Sequence, residues 1–189
     1  MTPQQSDPTI FGSLKRLLEV LPNPAPDYCL IGGLALGAWG QVRATQDIDL
    51  LIMLDETQRT QLLGILEPFG FALDVRWTEV NPFLKGRMPR LRHRNYPVDL
   101  LVPQDAQEAQ TLSRRRLVPV GDFNVWVCRP EDLILLKLKA GRPRDFEDVL
   151  SVIQHQGEKL HLSYVWKWAD QFGLQSELHY VLRAGQPPM

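Results

Sequence analysis

Residues 28–53 read Y-C-L-I-G-G-L-A-L-G-A-W-G-Q-V-R-A-T-Q-D-I-D-L-L-I-M. An apolar run delivers the chain to the paired glycines Gly32 and Gly33; after thirteen intervening residues, Asp47 and Asp49 alternate with Ile48 and Leu50. Side chains at i and i+2 of a strand share a face, so the two carboxylates point together while their aliphatic neighbours enter the core. Two carboxylates held side by side repel each other and are hard to desolvate, which makes a bound cation the natural reason to pair them. Oxygen ligands without a nearby Cys or His suit Mg²⁺ or Mn²⁺ better than zinc. Upstream, Gly32-Gly33 leaves a strand and opens a helix, where free backbone N–H groups can receive a phosphate. A phosphate cradle beside an acidic pair points to phosphoryl or nucleotidyl transfer. The opposite reading of each part is a tight turn lacking side chains and a solvated D-x-D at a strand end. The aliphatic flanks, Ile48 and Leu50–Ile52, argue against the second of these.

A glycine pair, a short helix and D-I-D-L resemble the signature of the polymerase-β-like nucleotidyltransferase superfamily. The wording R-A-T-Q-D-I-D-L is similar to that of its small bacterial AbiEii-like, MNT-like branch. The resemblance covers roughly residues 28 to 150 and implies an α+β fold: a mixed sheet flanked by helices and closed by a C-terminal helical part. It implies a third carboxylate from a later strand, and Asp99 in Y-P-V-D-L-L-V-P has that context. By the same resemblance, Asp47 and Asp49 hold one ion on the nucleotide's phosphates. Asp49 and Asp99 reach a second, and Asp99 helps to deprotonate the attacking hydroxyl. The family has Gly-Ser or Gly-Gly here, so this chain conforms; where the serine form offers a hydroxyl, Gly33 offers only its N–H, and phosphate binding leans on other donors. Arg43 and Thr45 are the candidates, with Arg43 otherwise an ordinary surface arginine. Farther on, K-L-K-A-G-R-P-R-D-F-E-D resembles the K-x-x-A-x-R-x-x-D-x-x-D segment of AbiEii-like relatives, in which a lysine and an aspartate line the nucleotide cleft. Lys137 and Asp148 take those positions, while Asp145 reads as a helix-capping acid. The alternative for the whole segment is a solvated basic helix face.

Around this stretch, Ile10 to Leu21 has apolar residues at helical spacing, and P-N-P-A-P-D breaks that helix before Tyr28. Expected next are a helix over Leu34–Trp39, a strand over Asp47–Leu54 and a helix over Glu56–Pro68. A third strand over Phe71–Trp77 and a basic loop over 79–90 follow. One long strand over Leu91–Val102 would carry Asp99. A helix over Ala106–Ser113 and a hairpin turning at Gly121-Asp122 come after it. Pro130, followed by two acids, opens a helix that Gly141-Arg142-Pro143 stops. A second helix runs to about His155, with one or two more in the tail. Residues 1–129 thus read as a core with an N-terminal helix, and 130–189 as a helical region packed on it in one compact unit.

The chain has 189 residues, 44% of them hydrophobic, and a net charge of −1, which argues against a dedicated nucleic-acid coat. Cys29 and Cys128 sit in apolar runs and read as buried reduced thiols. No apolar run approaches a membrane span, so a cytoplasmic protein without membrane contact is expected. The implied activity moves an NMP from an NTP to an acceptor hydroxyl on tRNA or a partner protein, in a toxin–antitoxin or defence setting. A tRNA acceptor would call on the basic runs 87–94 and 113–116. The rivals are a catalytically silent nucleotide- or partner-binding regulator and an antibiotic nucleotidyltransferase. The sequence does not fix the oligomeric state.

Overall fold

The computed structural model of the protein describes residues 9–81 and 90–185. The chain runs through α1 (Ile10–Val20), β1 (Tyr28–Leu30), α2 (Gly32–Trp39), β2 (Ile48–Ile52) and α3 (Glu56–Leu66). It continues through β3 (Phe71–Leu73), α4 (Val75–Val80), β4 (Arg90–His93), β5 (Tyr96–Leu101) and α5 (Ala106–Arg114). The hairpin β6 (Arg116–Val120) and β7 (Phe123–Val127) follows, then α6 (Pro130–Ala140), α7 (Pro143–Gln156), α8 (Leu162–Phe172) and α9 (Gln175–Ala184). Among the described residues seven strands form one mixed sheet in the order β3-β4-β5-β2-β1-β7-β6. Its β2–β5 and β1–β7 pairs are parallel and the rest antiparallel. The expected α+β architecture is the one observed.

β2 lies mid-sheet because its sequence demands it. Ile48, Leu50, Leu51 and Ile52 are all buried, as a strand covered on both faces requires. α6 is likewise apolar nearly all round, burying Leu133, Ile134, Leu135 and Leu138, and it packs against α2, α5, α7 and α8. Pro130 starts it, and Gly141, at φ 64°, ends it in the left-handed region that favours glycine. Cys29 and Cys128 are buried free thiols, and burial pushes the Cys29 thiol up to about 12.

Three boundaries differ from expectation. The strand expected over Phe71–Trp77 ends at Leu73, because Asp74 caps α4 by accepting the Trp77 N–H at 3.1 Å. The single strand expected over Leu91–Val102 is a hairpin, β4 and β5, turning through Arg94 at φ 56° and Asn95. No glycine or proline marks that turn, so the apolar pattern runs on through it. In place of the loop over 79–90, α4 runs to Val80 and Arg90 opens β4, while 82–89 lie outside the described residues.

Candidate active site

The acidic site is built by register. Asp49 of β2 stands opposite Asp99 of β5 in the parallel pair, and Asp99 stands opposite Arg90 of β4 in the antiparallel pair. The three therefore form one row across neighbouring strands, about 4.8 Å apart per strand. Asp47 precedes β2 rather than lying in it, yet it lines the same pocket as Asp49 and Asp99. Burial, then the nearby charges of Asp99 and Asp47, push the Asp49 carboxyl up to about 7.

The glycine pair meets this row from β1. The Ile31 N–H donates to the Asp49 carbonyl at 2.9 Å, which draws the turn against the acidic strand. Gly32 has φ 65°, and a Cβ there would stand 2.0 Å from Asp49 Oδ2. A Cβ at Gly33 would stand 2.6 Å from Thr45 Oγ1. Both positions exclude a side chain, one by conformation and contact together, the other by contact. Gly32 and Gly33 line the pocket, and a helix start without side chains is where backbone N–H groups can receive a phosphate.

A chain of ion pairs forms another wall. Arg43 donates twice to Asp148, at 2.7 and 2.8 Å, and Lys137 Nζ donates to Asp148 at 2.6 Å and Asp145 at 2.9 Å. Arg142 Nε closes on Asp145 at 2.7 Å. Burial alone would raise both aspartates, but their hydrogen bonds from Arg142 and Lys137, and from Arg43 and Lys137, hold them below the usual carboxylate range. The hydrogen bond from Arg43 to Asp148 in turn raises the Arg43 guanidinium. Two of the three Lys137 donors are thus committed to carboxylates.

The resulting cavity measures about 570 Å³. It is lined by Gly32, Gly33, Arg43, Thr45, Asp47, Asp49, Asp99 and Lys137 of the expected residues. Asp148 is buried behind Arg43 and Lys137. Four charged residues with no expected site role also line the cavity, Arg90, Arg142, Arg144 and Asp145, together with Ala44 and Gln46. Arg90 is the largest addition, since it donates to both Asp99 oxygens at 2.8 and 2.5 Å and lies 3.9 Å from the Trp77 ring centre. The signal for it in sequence was the register of β4 on β5, hidden with the unmarked turn.

Among the described residues no group of three or more Asp, Glu, His or Cys forms a ready metal cage. The donor set still suits a hard cation, because Mg²⁺ takes one or two carboxylates and completes its shell with water and substrate phosphates. Asp47 and Asp49 would hold it, and the crowding that raises Asp49 is what a cation would relieve. Asp99 is committed to Arg90. The basic run 113–116 is tied into the fold: Arg114 bonds Glu131 and Asp132, and Arg115 bonds Asp27. No helix among the described residues is long and apolar enough to cross a membrane.

Residues 9–158 match a protein family described as nucleotidyltransferase of unknown function (DUF6036). A search of curated proteins found no match. Among solved structures, the antibiotic-resistance factor ANT(2'')-Ia aligns with 88% of this chain and 95% of its own, at 15% identity and a TM-score of 0.58. Lincosamide antibiotic adenylyltransferase LnuA, bound to lincomycin, aligns with 74% of this chain and 93% of its own, at 19% identity and a TM-score of 0.51. An antigenic nucleotidyltransferase-like protein from Paracoccidioides brasiliensis aligns with 91% of each chain, at 20% identity and a TM-score of 0.54. At these identities the likeness is one of fold.

Proposed function

The chain belongs to this family of nucleotidyltransferases of unknown function, and from that premise we propose that its acidic pocket moves an NMP from an NTP to an acceptor hydroxyl. The observation that carries the proposal is the in-register pair Asp49–Asp99 beside the side-chain-free turn Gly32-Gly33. The N–H groups at the start of α2 take a phosphate, and Thr45 stands against Gly33 as a hydroxyl donor. The cavity carries five cationic side chains, Arg43, Arg90, Lys137, Arg142 and Arg144, against four carboxylates. That balance suits a triphosphate, and it tethers the leaving pyrophosphate until transfer is complete. Mg²⁺ or Mn²⁺ on Asp47 and Asp49, when bound, supplies charge neutralisation at the phosphates. Asp99 accepts the acceptor's proton once Arg90 yields one of its oxygens.

The test incubates the protein with each α-labelled NTP, Mg²⁺ or Mn²⁺, and acceptors of three kinds: total tRNA, cell protein and small alcohols. Label moving to an acceptor with wild type, and at least about a hundredfold less with Asp47→Ala/Asp49→Ala, is the expected result. Transfer that survives the double substitution would remove the pocket from the reaction. The identity of the labelled acceptor also decides among a tRNA, a partner protein in a toxin–antitoxin pair, and an antibiotic. A silent nucleotide-binding regulator is the second reading, favoured by the bidentate hold of Arg90 on Asp99. It predicts nucleotide binding without transfer to any acceptor.

A further inference from the structure

Beside the acidic pocket lies a second cleft of about 400 Å³ with opposite chemistry. Phe11 of α1, Leu34 and Gly37 of α2, Val42, and Val118 and Val120 of β6 form its walls. Among the described residues, only Arg43 and Thr45 bring polar side chains to its lining. Arg43 is ion-paired, since its Nε and Nη2 bond Asp148 and its Nη1 bonds the Ala44 carbonyl at 3.3 Å. The Thr45 hydroxyl and two of the five Arg43 N–H groups are what the described lining side chains leave for a ligand. The two cavities share Gly33, Arg43, Ala44 and Thr45. The glycine turn borders both, with Gly32 on the acidic side and Gly33 lining each.

We propose that this cleft is the acceptor subsite of the transfer reaction and takes a small, neutral molecule with an apolar body and a hydroxyl directed over the Thr45 edge. The inference rests on the nucleotidyl-transfer reading and gives it a substrate class. Each competing occupant conflicts with the lining. A polyanion needs free cations and an amino sugar needs carboxylates; among the described residues the one charged side chain in the lining is Arg43, which is paired with Asp148. A nucleobase has several donors and acceptors on its edge, and the described lining side chains, Thr45 and Arg43, offer few partners for them, at a cost in binding. An aliphatic or aromatic body of modest size buries its surface there, and the volume falls in the usual range for small-molecule sites. In the reaction the acceptor oxygen bonds to the α-phosphorus of the NTP and the bond from that phosphorus to the bridging oxygen breaks. Pyrophosphate leaves, and the hydroxyl proton passes to a carboxylate of the acidic pocket.

Gly37 supplies the test, because it lines the cleft and not the acidic pocket. A Cβ there meets only Val42 Cγ2, at 3.9 Å, so the position has room for a side chain on the cleft wall. Binding of 2-phenylethanol and cyclohexanol, with glucose as the polar control, is measured by ligand-observed NMR on wild type, Gly37→Ala and Gly37→Leu. NTP affinity and NMP transfer are measured on the same three proteins, whose folding is checked by melting. The expected result is binding and labelling of the apolar alcohols over glucose, weakened about tenfold or more by Gly37→Leu with NTP affinity unchanged. Gly37→Ala, which favours the helix, is expected to fall between wild type and Gly37→Leu and covers the case of a misfolded leucine variant. Three results would overturn the proposal: no preference for apolar alcohols, no response to either substitution, or a loss of NTP affinity in Gly37→Leu, which would place the base in the cleft. If wild type binds NTP and labels only charged or polyhydroxy acceptors, the cleft assignment fails alone. If wild type binds no NTP, the nucleotidyl-transfer reading fails and the cleft assignment fails with it.

Discussion

Arg90 is the residue whose position changes the chemistry most. It faces Asp99 across an antiparallel pair, holds both carboxylate oxygens, and is itself covered by Trp77. The charge it places on Asp99 is one that a divalent cation would otherwise supply, so protein and ion compete for the same oxygens. Arg90→Gln is expected to tighten Mn²⁺ binding about tenfold in nucleotide-free protein, read by calorimetry. It is also expected to lower the stability of the metal-free protein by about 1–3 kcal/mol, because three crowded carboxylates lose their nearest counter-charge. Unchanged Mn²⁺ affinity would mean that Asp99 is not an ion ligand in either protein. Lys137 and Arg43 differ from Arg90 in being tied to aspartates outside the acidic row, and their charges remain directed at the cavity without blocking its ligands.

At the scale of elements, the turn from β1 into α2 carries the strictest requirement. Gly32 needs a left-handed φ and also needs to lack a side chain, since a Cβ would fall 2.0 Å from Asp49 Oδ2, far inside van der Waals contact. Gly32→Ala is expected to cost about 2–4 kcal/mol in chemical denaturation, combining the backbone term with the clash. The two terms separate in a double-mutant cycle. In an Asp49→Ala background the same substitution should cost about 1 kcal/mol less or lower still, because the clash is relieved and the φ penalty is not. Full additivity would show that the turn does not press on the acidic strand. The same logic explains why Asp145 belongs to the site while serving helix α7: one carboxylate accepts from the Arg142 backbone N–H at 3.3 Å and from Lys137 across the loop.

For the whole molecule, the acidic pocket sets a pH dependence of stability. The Asp49 carboxyl, raised from its ordinary 3.8 to about 7 in the metal-free fold, binds its proton more tightly folded than unfolded. Its contribution is therefore fully present below pH 3.8, is lost as pH rises toward about 7, and is absent above that. Asp145 and Asp148, held low, work in the opposite direction and lose their contribution only as pH falls below the usual carboxylate range. Asp49→Asn is thus expected to stabilise metal-free protein at pH 8 by about 1–3 kcal/mol, with the gain vanishing near pH 4 in a series of melting curves. A gain of equal size at both pH values would assign the effect to packing instead of charge. What the sequence determined by itself is what local chemistry dictates. It determined the helix starts at proline and acids, the stop at Gly141, the hairpin at Gly121-Asp122, the buried central strand and the glycine pair facing D-I-D. Asp99 was legible because its apolar flanks repeat those of Asp49. What tertiary structure decided was partnership: Arg90 on Asp99, Asp148 beneath Arg43 and Lys137, and an apolar cleft on the other side of the glycine turn. Those depend on strand register and helix packing between residues up to a hundred positions apart, and the β4–β5 turn that sets the first of them carries no glycine or proline to announce it.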